Sequence, residues 1–401
     1  MNVAIFTDND FDKVNGVTTT LTAALRWAPA DLRLRIYTAS TLSVDTPEYL
    51  ALRSFSVPIP FFGEMRMYVP RLGEYLARAR ADQIDVIHLT TPGPVGLAAL
   101  YVAWQLNLPV VGSFHTDLAA CTSLLSGSRR LGALMGEYMR WPYGRCRRIL
   151  APSHHTRELF IQAKGDPKKV EVWPRGVDIA LFAPEKRSAQ LRGDWHVADN
   201  RPALLYVGRV SSEKGLDMLP VLSRRLHTLH CEHRFIIAGD GPMIQELKRE
   251  MPDAVFTGVL SREAVAAAFA SSDLFVFPSR TDTAGTVVLE AQAGGVPVVI
   301  SGEGGPRENM VAGETGLVCH TDNPTQWARL IADLLRDRGR HAAMVKGARD
   351  YAMTRGWEEA LQTLYRAYRD VVSSPWTAPA HDLGLLDATG VGPKAPAWRR
   401  S

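Results

Sequence analysis

At 401 residues the chain is too long for one typical core and suits two domains of roughly 150 to 200 residues each. With 46% hydrophobic and 22% charged residues, and no apolar stretch near the roughly 18 residues a membrane span needs, it reads as a soluble globular protein, peripheral to a membrane at most. A net charge of +4 gives no reason to expect nucleic acid, and four cysteines without CxxC spacing suggest neither a zinc knot nor a disulfide framework, which fits a reducing cytosol.

In chain order, residues 3–7 read as a buried strand, 8–16 as a polar loop and 17–26 as a helix, the opening of a Rossmann-like unit. The loop is not a G-x-G-x-x-G fingerprint, so a dinucleotide site is poorly supported. Gly16 admits two readings: a plain turn glycine with positive φ, or a place where backbone must approach a ligand. The pattern repeats in strands 34–38 and 86–89, helix 72–81, and helix 95–105 behind the turn Pro92-Gly93-Pro94. Such alternation predicts a parallel sheet covered on both faces. Strand 110–114 delivers His115 to a strand's C-terminal end. Residues 129–148 are basic, with Leu131, Leu134, Met135, Tyr138 and Met139 at helical spacing. That stretch fits an anionic membrane surface, or an ordinary core helix with a solvated basic face. Strand 147–151, a helix through 163 and strand 170–173 follow, and a domain boundary falls between 176 and 200, where periodicity is weak.

In the second half, strand 203–207 precedes Gly208-Arg209 and Lys214-Gly215, then helix 216–229. Two cations five apart on a glycine-flanked loop at a helix entrance can clasp a diphosphate, arginine as a fork and lysine as a point charge; the alternative is a solvated loop. Strand 234–238 ends in Gly239-Asp240-Gly241-Pro242, where glycines permit close backbone approach. Strand 253–258 and helix 261–270 lead to strand 274–277 and the turn 278–282. Next comes a helix beginning near Gly285 or Thr286, whose free N–H groups suit an anion. Asp282 and Glu290 are two acids separated by seven residues, one in the loop and one in the helix, turned toward one crevice. A carboxylate at 290 accepts only, so it can fix paired ribose hydroxyls. The alternative makes Asp282 a cap and Glu290 a solvated helix residue. Strands 296–300 and 316–318 and helices 324–336, 341–354 and 357–372 complete the pattern, and residues 374–401, rich in Pro, Ala and Gly, predict disorder.

From Asp282 to Glu290 the chain resembles the glutamate-x7-glutamate motif of family 4 retaining glycosyltransferases, which have two facing Rossmann-like domains (GT-B type) and an interdomain cleft. Here the first acid is Asp282, and Ala284 stands where an aromatic often precedes the motif glycine. Asn15-Gly16-Val17, Ser113-Phe114-His115-Thr116, Gly208-Arg209 with Lys214-Gly215, and Pro174-Arg175-Gly176-Val177-Asp178 match further family motifs. The resemblance runs to about residue 372. It implies an N-terminal acceptor domain, 1–176, a sugar-nucleotide domain, 177–356, and a helix, 357–373, that returns to the first.

On the same resemblance Gly16 lies near the donor phosphates or acceptor, and His115 beside the transferred sugar. Arg209 and Lys214 hold the diphosphate, Gly239 lies beneath the nucleotide, Leu260 is near the base, and Glu290 binds ribose. Asp282, His115 and the N–H groups of Ala284, Gly285, Thr286 and Val287 orient the donor sugar. The expected reaction moves a hexose from a nucleotide diphosphate sugar to a lipid, glycolipid or saccharide acceptor, with GDP-mannose the first choice and UDP-glucose the second. No other cofactor and no metal is expected, because Arg and Lys supply the charge and no DxD-type pair stands in a metal-binding context. A UDP-N-acetylglucosamine 2-epimerase type of enzyme and a catalytically weak sugar-nucleotide-binding partner are the other classes. Localisation is expected in the cytoplasm, with peripheral contact at the inner membrane face through 129–148.

Overall fold

The computed structural model describes residues 1–9, 11, 15–58, 66–198 and 200–373. The expected disordered tail, 374–401, lies outside them. Two units emerge: Met1–Pro152 with Thr156–Pro174 and the chain from Leu361 on, and Ser153–His155 with Arg175–Ala360. Among the described residues no helix is long and apolar enough to cross a membrane.

Short, largely apolar runs, buried at every position, can persist only with both sheet faces covered. Ala203–Val207, Leu274–Phe277 and Val298–Ser301 are such runs. In the second unit they build a six-stranded parallel sheet in the spatial order Val255–Gly258, Arg234–Ala238, Ala203–Val207, Leu274–Phe277, Val298–Ser301, Gly316–Cys319. The order reverses where Leu204 and Leu205 pair with Leu274 and Phe275. In open parallel sheets a ligand crevice opens at the carboxyl ends of the two strands flanking such a reversal. The loops that leave those strands are the ones carrying Arg209, Lys214 and Asp282.

The first unit holds eight strands in the order Val170–Val172, Arg148–Ala151, Val110–Ser113, Val86–Leu89, Asn2–Phe6, Arg33–Ser40, Tyr49–Arg53, Val44–Asp45, parallel except for the last pair. Ser56–Pro58 and Arg66–Tyr68 form a separate antiparallel pair. Here the reversal lies between Asn2–Phe6 and Val86–Leu89. Phe6, Tyr37 and Tyr75 pack together beside it, with ring centroids 4.9 Å apart for Phe6–Tyr37 and 5.5 Å for Phe6–Tyr75. The terminal helix Trp357–Ser373 begins in the second unit and ends in the first. Within the first unit Tyr365 donates to the Ala24 carbonyl at 2.9 Å, and Arg147 donates to the Val371 carbonyl at 2.9 Å.

Several elements depart from expectation for local reasons. The strand expected at 296–300 begins at Val298, since Pro297 has no N–H for the ladder and offers only its carbonyl, to Phe275 at 2.9 Å. The helix expected from 216 opens as a 3-10 turn, Leu216–Met218, before Leu219–Thr228, which carries a proline in its first turn. The basic stretch is helical as Arg129–Gly144 and stops ahead of strand Arg148–Ala151. The short strands between 44 and 68, and the helices Leu118–Ser126 and Ile244–Glu250, carry too little periodicity to announce themselves.

Candidate functional site

At the reversal in the second unit, two loops meet side chain to side chain. Lys214, closing a 3-10 turn over Ser212–Lys214, puts Nζ 2.7 Å from Asp282 Oδ2. The other Asp282 oxygen accepts the N–H groups of Gly285 at 2.8 Å and Ala284 at 3.3 Å. Burial alone would raise the Asp282 pKa, yet the Lys214 ammonium and the two backbone N–H groups outweigh it and hold the carboxyl below the usual aspartate value. Asp282 is therefore an ion-pair partner whose second oxygen holds the turn ahead of helix Thr286–Ala293; it is not a side-chain cap of that helix, whose N-cap is Gly285. Of the four N–H groups from Ala284 to Val287, it already holds two, leaving those of Thr286 and Val287 outside its grip.

The remaining contacts fix the loops. Tyr206 donates to the Arg209 carbonyl at 2.7 Å, tying that loop to its own strand, and Thr281 Oγ1 donates to the Glu213 carbonyl at 3.1 Å, a second link between the two loops beside Lys214. Arg209 Nη1 lies 3.8 Å from the buried Glu213 Oε1, which accepts from Ser211 Oγ at 2.5 Å. Arg209 Nε and Glu213 Oε2 are buried with no hydrogen-bond partner among the described residues, so this corner holds unused polar capacity. Gly285 has φ of +63°, and a Cβ there would come within 2.7 Å of Pro306; only glycine turns the chain into helix Thr286–Ala293 at this point. Gln292 donates to the Asn309 carbonyl at 2.6 Å, and Asn309 donates to the Ala284 carbonyl at 2.5 Å, pinning the turn from behind.

Glu290 is buried, which rules out a solvated helix residue, and its Oε1 accepts from Arg262 Nη1 at 2.7 Å. The Arg262 guanidinium lies over the Phe182 ring, 4.9 Å from its centroid. Arg262 and Glu213 were not found from the sequence. Nothing in the spacing ties a residue in the first turn of Arg262–Ala270 to an acid twenty-eight positions on. Gly239 closes the loop after Arg234–Ala238 with φ of +143°, its N–H bonded to the Gly258 carbonyl at 2.9 Å, and a Cβ there would sit 1.9 Å from the Gly208 carbonyl. Leu260 is half-buried beside the strongly exposed Val259.

In the first unit, Gly16 is the first residue of helix Gly16–Arg26, capped by Asn15, which accepts from Val17 at 2.9 Å and Thr18 at 3.0 Å. Its φ is not positive, and an added Cβ would meet no described atom within 4 Å, so the positive-φ reading does not hold. Asp8 occupies the start of helix Pro94–Leu106, accepting from Val95 at 2.8 Å, Gly96 at 3.3 Å and Thr91 at 2.7 Å, while burial pushes its pKa up. His115 is half-buried after strand Val110–Ser113, edge-on to Trp173 and 2.8 Å from Ser113 Oγ. On helix Arg129–Gly144, Leu131, Leu134, Tyr138 and Trp141 share one face and are exposed, Leu134 by 66%. Arg145 stacks over Trp141 at 4.0 Å. This apolar face is not turned into a core. Among the described residues no group of His, Cys, Asp or Glu forms a metal cluster.

Comparison with known proteins matches residues 188–351 to the family described as "Glycosyl transferases group 1" and residues 14–181 to "Glycosyltransferase Family 4". The chain is 31% identical to a GDP-mannose-dependent alpha-mannosyltransferase of Corynebacterium glutamicum, over 99% of this chain and 95% of the relative. It is 28% identical to the alpha-monoglucosyldiacylglycerol synthase of Streptococcus pneumoniae, over 75% of this chain and 71% of that one. Among solved structures, a sucrose-phosphate synthase from Thermosynechococcus elongatus superposes with a TM-score of 0.74 at 18% identity, over 92% of this chain and 98% of that one.

The Asp282 geometry makes a pH prediction. A depressed folded-state pKa contributes stability that is complete above the unfolded value, about 4, and is lost as pH falls through the lower folded value. Asp282→Asn should lower the melting temperature by a constant amount between pH 6 and 8, with the gap to the wild type shrinking below about pH 4. A gap that is unchanged down to the acid limit of folding would contradict the ion pair.

Proposed function

Because the chain belongs to the family 4 glycosyltransferases, we propose that it moves mannose from GDP-mannose to a lipid, glycolipid or saccharide acceptor, with retention at the anomeric carbon. It is a hexosyltransferase of the GT-B fold. The observation that carries the donor site is the meeting of a cationic loop and an acidic loop at the strand reversal, joined by Lys214 and Asp282. The donor base and sugar are read from the Corynebacterium relative, and a lipid acceptor is supported by the Streptococcus relative's diacylglycerol product. UDP-glucose is the second choice.

In this reading the buried Glu290 fixes the ribose hydroxyls, exchanging part of its bond to Arg262 for them. Arg209 and Lys214 bind the diphosphate and stabilise the charge that grows on it as the glycosyl bond breaks. Arg209 brings an Nε with no partner among the described residues, and Lys214 a charge now shared with Asp282. Gly239 and Leu260 are assigned to the nucleoside side, and Asp282 with the Thr286 and Val287 N–H groups to the sugar. To the first unit we assign the acceptor and His115, with Gly16 chosen for clearance, since no described neighbour requires a glycine there. With two cations on the leaving group, no metal is needed for charge neutralisation. The helix Arg129–Gly144 is assigned to an anionic membrane or lipid surface, because its exposed aromatic and leucine face is flanked by Arg129, Arg130 and Arg145. Cytoplasmic localisation at the inner membrane face is part of the same proposal.

Arg209→Ala or Lys214→Ala should lower mannosyl turnover by roughly a hundredfold or more, as loss of one charge-stabilising group does, and a chelator should leave wild-type turnover unchanged. Full turnover in both variants would contradict the assignment; so would donor binding without any transfer, which describes a silent partner. In co-sedimentation with vesicles rich in anionic lipid, Leu134→Glu and the pair Arg129→Gln, Arg130→Gln should each reduce binding, the second more at low salt. A wild type that stays in the supernatant would end the membrane proposal.

A further inference from the structure

A buried hydrogen-bond chain runs from the terminal helix to His115, wholly within the first unit. Tyr368 Oη lies 2.7 Å from His88 Nδ1, His88 Nε2 lies 2.8 Å from Ser113 Oγ, and Ser113 Oγ lies 2.8 Å from His115 Nε2. Tyr368, His88 and Ser113 are each fully or almost fully buried, on the helix Trp357–Ser373 and on the adjacent strands Val86–Leu89 and Val110–Ser113.

The direction of this chain is set at its deep end. His88 is the only hydrogen-bond partner of the Tyr368 hydroxyl among the described residues. Were His88 Nδ1 to donate to it, the phenolic proton would be buried without an acceptor. Tyr368 therefore donates to Nδ1, and the His88 proton sits on Nε2 and points at Ser113. A hydroxyl has one proton, so Ser113, accepting from His88, gives its own to the remaining neighbour, His115 Nε2. Had the chain run the other way, His115 would carry its proton on Nε2.

We propose that Tyr368, His88 and Ser113 are positioning residues that hold His115 as its Nδ1–H tautomer, with the ring's other nitrogen tied down as an acceptor. Which ring nitrogen carries the proton is determined by the bond the other one makes, and here that choice is made some 250 residues downstream, on the terminal helix. No proton has to travel. In this tautomer Nδ1 of His115 is a donor, the polarity that suits a hydroxyl or ring oxygen of a hexose, and it does not accept a proton. This last consequence rests on the assignment of His115 to the sugar; the tautomer does not.

The test uses the full chain with nitrogen-15-labelled histidine. Long-range proton–nitrogen correlation spectra distinguish the two tautomers, and the His115 signals are identified by their loss in His115→Gln. His115 should appear as the Nδ1–H form in the wild type, and Tyr368→Phe and Ser113→Ala should each turn it into a mixture, with helix content unchanged by circular dichroism. Ser113→Thr, which keeps the hydroxyl, should restore the wild-type pattern; where it does not fold, Tyr368→Phe alone decides. Turnover in Tyr368→Phe should fall by roughly tenfold with donor KM little changed, as for outer partners that orient a metal-bound histidine. An Nε2–H signal for wild-type His115, or the same tautomer in both deletion variants, would overturn the proposal. The wild-type tautomer with no transferase activity in any protein would instead strike at the proposed function and leave the relay standing.

Discussion

The candidate site of the second unit is organised around one contact, the ion pair between Lys214 and Asp282. Each residue leaves the carboxyl end of a different central strand, and those strands are neighbours only because the strand order reverses between them. An exposed pair of this kind contributes little to stability. Both partners here are largely shielded, however, and the second Asp282 oxygen is saturated by backbone N–H groups, so the pair holds a shape. The turn at Gly285, the Asn309 bond to the Ala284 carbonyl and the Thr281 bond to the Glu213 carbonyl surround it. The same pair holds the Lys214 ammonium between the two loops, where the proposed donor diphosphate would share it.

That arrangement also bears on the short first acid. A carboxylate one methylene shorter stays close to its own backbone, which is where Asp282 finds Ala284 and Gly285. It reaches Lys214 at the same time. Glu290 is held in a comparable way, by Arg262 stacked on Phe182. Each acid of the motif thus faces a cation, Asp282 the Lys214 ammonium and Glu290 the Arg262 guanidinium.

Much of the fold was legible because its central strands are short apolar runs with sharp ends. Ala203–Val207, Arg234–Ala238, Leu274–Phe277 and Val86–Leu89 lie where the sequence alone places them, as do the helices Leu72–Ala81 and Pro324–Arg336. The edge strands around Val44–Asp45 and Ser56–Pro58 were not, since exposed two- and three-residue strands take their structure from a partner rather than from a pattern. In the site, cations and acids could be named from the loops that carry them. Their pairing could not, because Lys214 and Asp282 are sixty-eight residues apart in the chain and are joined only by sheet topology. His88 was invisible for a further reason: it reads as one polar residue inside a buried strand, and its partners, Ser113 on the adjacent strand and Tyr368 on the terminal helix, are 25 and 280 residues away in the chain.

The central claim is that the paired loops hold a nucleotide diphosphate hexose. The most direct test is the melting temperature of the purified protein with GDP-mannose, UDP-glucose, UDP-N-acetylglucosamine and the free nucleotides. The account predicts a clear upward shift with GDP-mannose and GDP, lost in Glu290→Gln, and little response to the uridine series. No shift with any of them, or a shift that survives Glu290→Gln, would contradict it.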